Sequence, residues 1–318
     1  MVFSQKPMLS LNFLSTTMQS KNIPRRFDSH LRMMGRIARL PWPFLWLVGG
    51  FLCRNRWGRR YMMWRSPHLC DKLAFSRQLF AAMELPPEQV DRGLMQVYQN
   101  GLFQPILLAR LAEMSPREEA GQFEVFGWEH LAAERASGRP VILGGSHFGV
   151  NRLFSLWLAR RGVEVLSLAR QDLVKKLPGT KPPTLKVVEI GDGFTVETAL
   201  LVMRHLRSGG CLQVTGDWPI QRQSPHSYQR TYKGITRLYP QGMANFSLTG
   251  GAAILPYFCK LQPSGAVRIE IYPPLRPPHE PAPAGSKERE TQIEDLLHRF
   301  ASVLEAEIER SPGIQCWV

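Results

Sequence analysis

Residues 139–158, RPVILGGSHFGVNRLFSLWL, limit the possible folds more than any other stretch of the chain. Residues 140–145 are a short apolar run with β-branched side chains that ends at a glycine pair, which predicts a buried strand. After His147, apolar residues recur at helical spacing, namely Val150, Leu153, Phe154, Trp157 and Leu158. We therefore predict a strand, a glycine turn and a helix, with His147 at the start of the helix. This order of elements creates ligand sites in α/β folds.

Strand and helix patterns also alternate in the rest of the chain. We predict strands at 163–169, 186–190 and 211–215, and a strand pair at 253–261 and 266–272. We predict helices at 195–207, 242–251 and 291–310, the first with Val196, Leu200, Met203 and Leu206 facing inward. This alternation predicts an α/β fold class with a largely parallel central sheet flanked by helices.

Composition divides the chain into three parts. Residues 1–38 are basic and polar and have no sustained period, so we predict a loosely ordered N-terminal segment. Residues 39–120 combine an apolar anchor with a helical platform, in which Ser115, Pro116 and Glu118 form a helix-start signal. Residues 121–318 form the predicted α/β domain.

The apolar anchor, residues 40–53, is rich in Trp and is followed by several arginines. It is shorter than the ~20 residues that span a bilayer. Trp and Arg favour the headgroup level of a membrane, so we predict a membrane-associated segment, either peripheral and monotopic or with a single anchor. An ordinary core helix is the alternative.

The formal net charge is +14, and the sequence pI is about 10.0. Much of the excess lies before residue 66, where Lys and Arg recur and Asp28 is the one acidic residue. Such a segment suits an anionic membrane surface, and nucleic acid is the competing partner. Because the sequence has no nucleic-acid recognition motif, we predict membrane lipids as partners and no nucleic acid.

The five cysteines are far apart in the sequence and lack metal-type spacing, so we predict free thiols and no metal site. The N-terminus has no secretory signal pattern, which favours a working face in the cytoplasm.

Three polar residues are catalytic candidates. His147 and Asn151 are four residues apart, so on the predicted helix they share a face and Asn151 orients the imidazole. Asp217 follows the strand at 211–215, at the end of a strand where open α/β sheets bind ligands. It is the carboxylate best positioned to assist His147, and a turn or N-cap aspartate is the alternative.

Basic residues after the strands are candidates for substrate binding. Arg170 follows the strand at 163–169, and Arg222, Arg230 and Lys233 recur between tyrosines in a segment that we predict to be a loop. Such residues can hold the phosphates of a lipid headgroup or of a phosphopantetheine arm. A solvated basic loop is the alternative.

The stretch EVFGWEHLAAERASGRPVILGGSHFGVNRL and the C-terminal SPGIQCWV resemble the lysophospholipid acyltransferase superfamily. The resemblance is to its bacterial lipid A biosynthesis late (lauroyl/myristoyl) acyltransferase branch, and it runs from about residue 40 to the C-terminus. In that branch a His is followed, after four residues, by an acidic residue. Here that position is Arg152, so only His147 of the His–acid dyad is carried over.

The resemblance implies transfer of a fatty acyl chain from an acyl thioester, on acyl carrier protein or CoA as co-substrate, to a glycolipid of the lipid A type or to a lysolipid. It implies no cofactor, and a site on the cytoplasmic face of a bacterial inner membrane. His147 would be the general base. Backbone N–H groups of Gly145, Ser146 and Phe148, at the predicted helix N-terminus, would stabilise the oxyanion.

Three replacements for the missing carboxylate follow from the sequence. Asn151 would hold the His147 tautomer, Asp217 would supply the negative charge, or Arg152 would recruit a phosphate of the acceptor. Two other functions stay open: a lipid-binding protein that has lost catalysis, and an acyltransferase with an amine or another lipid as acceptor.

Overall fold

The structure is a computed structural model that describes residues 33, 35–169, 182–190, 195–217 and 227–312 of the chain. A helical region comes first and contains α1 (Trp42–Arg54), α2 (Arg56–Arg65), α3 (Pro67–Ala82), α4 (Pro87–Glu113) and α5 (Pro116–Gln122). The first half of the α/β region contains β1 (Phe123–Phe126), α6 (Trp128–Ala136), β2 (Val141–Gly145), α7 (Leu153–Arg160), β3 (Val165–Ala169), β4 (Leu185–Glu189) and α8 (Val196–Arg207). The second half contains β5 (Cys211–Thr215), β6 (Ser227–Tyr232), β7 (Ile235–Pro240), α9 (Gly242–Gly250), β8 (Ala253–Leu261), β9 (Val267–Ile271) and α10 (Lys287–Arg310).

Local capping signals determine where two of the early helices begin. The Ser115 hydroxyl accepts the backbone N–H of Glu118, and the Glu118 carboxylate accepts the backbone N–H of Ser115, so the predicted helix start is confirmed as a capping box. Asn55 ends α1 in an extended conformation, and its side chain accepts the N–H of Trp57. The chain therefore turns at Asn55, and α1 and α2 form a corner.

The central sheet of the described region has the strand order β1-β9-β8-β2-β5-β3-β4. The strands from β8 to β4 run parallel to one another, whereas β9 is antiparallel to β8 and β1 is parallel to β9. All residues of β2 are buried, as expected for an inner parallel strand that is covered on both faces. The predicted α/β fold with a largely parallel sheet is confirmed.

Each face of the sheet is covered by a hydrophobic core. Side chains alternate between the faces, so Val141 and Leu143 pack with α4 and α7 while Ile142 packs with α8, α9 and α10. The helical region thus shares a core with the sheet through Phe103 of α4. The predicted domain boundary between residues 120 and 121 lies inside α5.

Two sequence predictions about local structure are wrong. In α8, Val196 and Leu200 are exposed, and the helix instead packs through Val202, His205 and Leu206. The basic segment that includes Arg230 is a paired β6–β7 hairpin rather than a loop.

The apolar anchor forms α1, whose Leu45, Gly49 and Cys53 are buried. Among the described residues, no helix has both the length and the hydropathy needed to cross a membrane. The thiols of Cys53, Cys70, Cys211 and Cys259 are free, as predicted, and Cys316 lies outside the described residues.

Candidate active site

The candidate site lies where β2 and β5 end side by side. These parallel strands are in register, with Gly145 opposite Thr215. The pairing continues one residue further, because the N–H of Gly216 donates to the carbonyl of Gly145 at 2.8 Å. His147 and Asp217, each two residues beyond its strand, therefore leave the sheet next to each other.

His147 contacts both the side chain and the main chain of Asp217. The backbone N–H of His147 donates to the Asp217 carboxylate, at 2.8 Å from Oδ1 and 3.1 Å from Oδ2. The ring Nδ1 of His147 is 2.8 Å from the Asp217 carbonyl oxygen and 3.2 Å from Oδ1. The Asp217 side chain is 1% exposed and that of His147 is 24% exposed, so the carboxylate is buried whereas the imidazole is partly exposed to solvent.

These contacts select one tautomer of the imidazole. A carbonyl oxygen only accepts hydrogen bonds, so the 2.8 Å contact requires the proton on Nδ1. Nε2 then carries the lone pair and is the basic nitrogen of the ring. If Nε2 takes up a proton, the nearby Asp217 carboxylate stabilises the resulting imidazolium.

The predicted shared helix face of His147 and Asn151 is wrong, because α7 begins only at Leu153. Between them the backbone turns at Gly149, which has a φ of 61°, and the N–H of Val150 donates to the carbonyl of Cys259 in β8. This contact with β8 holds the segment as a loop. The buried Asn151 side chain donates to the carbonyl of Ser146 at 2.6 Å, so it closes that loop.

The predicted oxyanion donors are next to this loop, but no helix N-terminus lies there. Gly145 is the last residue of β2, and a Cβ on it would be 2.5 Å from the Tyr257 hydroxyl oxygen, so only glycine fits. Ser146 and Phe148 are fully buried, and the ring of Phe148 packs against Phe258. The predicted role of these three N–H groups in oxyanion binding stays a prediction.

A chain of buried polar side chains underlies the loop. The Ser167 hydroxyl donates to the Gln213 amide oxygen, the Gln213 amide nitrogen donates to the Tyr257 hydroxyl at 2.9 Å, and that hydroxyl lies 3.5 Å from the Asn151 carbonyl. Burial raises the pKa of Tyr257, which keeps this hydroxyl protonated. This series of hydrogen bonds thus connects β3, β5 and β8 to Asn151, the residue that closes the His147 loop.

Arg152 precedes α7, and its side chain is open to solvent. Desolvation by the surrounding protein nevertheless lowers the pKa of its guanidinium. No ion pair or hydrogen bond to the Arg152 side chain occurs among the described residues.

The remaining basic candidates are not gathered at His147. Arg230 forms an ion pair with Glu305 of α10 at 2.5 Å and also contacts His298 and Ser302, so its guanidinium is held by α10. Lys233 is exposed at the tip of the β6–β7 hairpin. Arg170 and Arg222 lie outside the described residues. A role in substrate binding stays a prediction for all four.

The sequence predictions missed the buried polar residues around the site. Gln213 and Tyr257, which belong to the polar chain, were not predicted. Arg237 and Tyr239 of β7 belong to the segment that was predicted as a basic loop, but they are buried, and Arg237 is within electrostatic reach of Asp217. Gln213 could have been recognised from the sequence, because it is a polar residue within a strand that was predicted to be buried. Among the described residues, no three His, Cys, Asp or Glu side chains are arranged to hold a metal ion.

Comparison with known proteins gives one family match. The sequence model of the family described as bacterial lipid A biosynthesis acyltransferase matches residues 87–318, well over half of the chain. The match includes β2, the His147 loop and Asp217, and it does not distinguish the lauroyl/myristoyl branch. A search of curated proteins found no match.

Proposed function

The chain belongs to the bacterial lipid A biosynthesis acyltransferase family, and we propose that it moves a fatty acyl chain from an acyl thioester to a hydroxyl group of a glycolipid or lysolipid. The donor is acyl carrier protein or CoA, and no cofactor takes part. The membership supports acyl transfer in general, and the donor, the acceptor and the catalytic base are our proposals.

The observation that carries the mechanism is the contact of His147 Nδ1 with the carbonyl of Asp217. It supports His147 as general base, because it places the ring proton on Nδ1 and so makes Nε2 the basic ring nitrogen. Nε2 takes the proton of the acceptor hydroxyl as its oxygen attacks the thioester carbonyl carbon. The tetrahedral intermediate then breaks its C–S bond, and the departing thiolate takes the proton back from the imidazolium.

Asp217 is the replacement that we propose for the acidic residue that Arg152 displaces. Its carboxylate is 3.2 Å from the ring Nδ1 and is buried, so its charge acts on the imidazolium through little solvent. Asn151 contributes differently, because its amide holds the carbonyl of Ser146 and thereby the loop. Arg152 supports an acceptor that carries phosphate, since its exposed guanidinium is without a protein partner among the described residues.

The experiment is thioester consumption by the purified full chain, with acyl carrier protein and CoA donors and with membrane lipid extract as the source of acceptor. We expect turnover by the wild type, a loss of at least about 10²-fold in His147→Ala, and an unchanged rate in the control His279→Ala, which alters an exposed histidine. Mass spectrometry of the product identifies the acceptor and tests the proposed lipid A type. Equal rates in wild type and His147→Ala would remove His147 from the mechanism.

A second function, lipid binding without catalysis, is favoured by one observation, Arg152 at the position of the family's acidic residue. This function predicts that the wild type retains lipid from the extract and consumes neither thioester. Lipid retention together with His147-dependent thioester consumption excludes it.

A further inference from the structure

Tyr257 is a fully buried residue of β8 whose hydroxyl lies against the end of β2. Gly145 is the last residue of β2, and a Cβ on it would be 2.5 Å from the Tyr257 hydroxyl oxygen and 2.7 Å from the ring. In the sheet, β2 lies between β8 and β5. The missing side chain at position 145 therefore leaves room for the Tyr257 hydroxyl to cross β2 and meet Gln213 of β5 at 2.9 Å.

The hydrogen bonds of the Tyr257 hydroxyl run in one direction. The amide oxygen of Gln213 accepts the hydroxyl of Ser167, so the amide nitrogen is the group that donates to Tyr257. The Tyr257 proton then points away from Gln213, toward the Asn151 carbonyl oxygen 3.5 Å away. The opposite orientation of the amide would turn a lone pair of the Tyr257 oxygen toward that carbonyl, so the carbonyl selects the first arrangement.

Asn151 connects this hydroxyl to the loop that carries His147. The Asn151 amide donates to the carbonyl of Ser146 at 2.6 Å and so closes the loop around His147. The Asn151 carbonyl receives the backbone N–H of Phe154 at 3.4 Å, which is long for a hydrogen bond. Because that bond is long, the Tyr257 hydroxyl matters as a second donor to Asn151.

The strand β5 thus reaches His147 by two routes. Asp217, which follows β5, contacts the imidazole directly. Gln213, four residues before Asp217, reaches the same loop through Tyr257 and Asn151. A loop held at one point can rotate about that point, whereas two attachments to the same strand also fix its orientation.

We propose that Tyr257 is a positioning residue for His147: its hydroxyl, fixed by Gln213, holds the loop so that the ring Nδ1 stays in contact with the Asp217 carbonyl. The effect on turnover rests on the proposed acyl transfer, in which Nε2 must face the acceptor hydroxyl. A ring that turns away from Asp217 loses its preference for one tautomer and its alignment with the acceptor. A displacement of about 1 Å in a reacting group costs up to about 10²-fold in rate.

Two variants and one control test the proposal. Tyr257→Phe removes the hydroxyl and keeps the ring. The triple variant Ser167→Ala/Gln213→Met/Tyr257→Phe replaces the whole series of hydrogen bonds with apolar groups of similar size. The control, Ser247→Ala, removes a buried hydroxyl that donates to the carbonyl of Ala252 at 2.7 Å. Ala252 precedes β8, at the edge of the sheet opposite the candidate site.

Steady-state kinetics gives the first readout. Tyr257→Phe should lower kcat about ten- to hundredfold with little change in the KM of either substrate, because the buried hydroxyl touches no substrate. Ser247→Ala should lose stability in urea unfolding and keep the wild-type kcat. A wild-type kcat in folded Tyr257→Phe overturns the proposal, as does a change confined to KM or an equal loss of kcat in Ser247→Ala.

The triple variant separates positioning from stability. Removing one partner of a buried hydrogen bond is costly, whereas replacing all partners with apolar groups of the same shape costs little. We therefore expect the triple variant to unfold at a urea concentration closer to that of the wild type than Tyr257→Phe does. Its kcat should stay as low as that of Tyr257→Phe. If kcat recovers together with stability, the hydroxyl serves stability alone and the proposal fails.

The imidazole provides a readout that needs no turnover. ¹⁵N NMR of the protein labelled at histidine distinguishes the two neutral tautomers, and comparison with His147→Ala assigns the His147 signals. We expect the Nδ1–H tautomer in the wild type and a mixture of both tautomers in Tyr257→Phe and the triple variant. The same tautomer in all three proteins overturns the proposal. A wild type that transfers no acyl chain contradicts the proposed function, and the tautomers then still decide whether Tyr257 positions His147.

Discussion

Replacing Asp217 with Asn tests the central contact of the site with little change in shape. Asn keeps an amide oxygen that can accept the backbone N–H of His147, which is now 2.8 Å from Oδ1. The substitution removes the negative charge beside the ring Nδ1 and leaves the backbone carbonyl contact in place. Asp217→Asn therefore isolates the effect of the charge on the imidazolium.

The size of the effect follows from the geometry. Two unit charges 3.2 Å apart attract by about 5 kcal/mol at an effective dielectric constant of about 20, and by about 1.3 kcal/mol in bulk water. Because Asp217 is buried and His147 is partly exposed, we expect about 2–4 kcal/mol, a loss of about 30- to 900-fold in kcat. Weakening of the charged hydrogen bond to the backbone costs about 1–3 kcal/mol in the free energy of unfolding.

The assay is single-turnover acyl transfer together with urea unfolding. Glu119→Gln is the control, because it also removes a buried negative charge, one paired with Arg160 and Arg161 away from His147. Both variants should lose stability, and only Asp217→Asn should lose kcat. The reasoning is refuted if Asp217→Asn turns over at the wild-type rate while remaining folded, or if both variants lose kcat equally.

Three further predictions follow from the contacts around the site. Arg152→Ala should raise the KM for a phosphate-bearing acceptor about tenfold or more with a smaller change in kcat, whereas Lys287→Ala, at an exposed lysine of α10, should not, and a pure kcat effect in steady-state kinetics would contradict this. Tyr257→Phe leaves the buried Gln213 amide nitrogen without its acceptor, so urea unfolding should show a loss of about 1–3 kcal/mol, and unchanged stability would exclude that hydrogen bond. Burial lowers the pKa of His205, so below its ordinary pKa of about 6.5 the unfolded chain takes up a proton that the folded chain does not. The free energy of unfolding should therefore fall as the pH drops from ~7.5 to ~5.5, and urea titrations should show a smaller fall in His205→Gln.

The elements that the sequence predicted correctly are those with strong local patterns. The strand β2 is a continuous apolar run that ends at a glycine pair, and β5 is a largely apolar strand that Gly216 follows. Such strands are typical of the inner part of a parallel sheet that is covered on both faces. The contact between His147 and Asp217 followed from the same patterns, because parallel strands bring their carboxyl ends to one edge. The sequence therefore predicted Asp217 as the carboxylate best positioned to assist His147, and the pairing of β2 with β5 brings the two residues into contact.

The errors arose where a distant part of the chain decides the local structure. Apolar spacing after His147 predicted a helix from Val150, but the N–H of Val150 bonds to Cys259 in β8, a partner that periodicity does not reveal. The segment around Arg230 had the composition of a phosphate-binding loop, yet the Arg230 guanidinium forms an ion pair with Glu305 of α10. In α8, apolar residues on two sides of the helix left the buried face ambiguous, and packing selected Val202 and Leu206.

The charges around His147 explain how the site accommodates Arg152 where the family has an acidic residue. Burial lowers the pKa of the Arg237 guanidinium, while attraction to the Asp217 carboxylate opposes that shift. Asp217 therefore acts on Arg237 as well as on His147. In the acyl transfer that we propose, a second carboxylate at position 152 would add negative charge to a site where an oxyanion develops. Arg152 instead adds an exposed positive charge that no described residue neutralises. Because Asp217 contacts the imidazole from the end of β5, we propose that Arg152 attracts an anionic substrate from the solvent side.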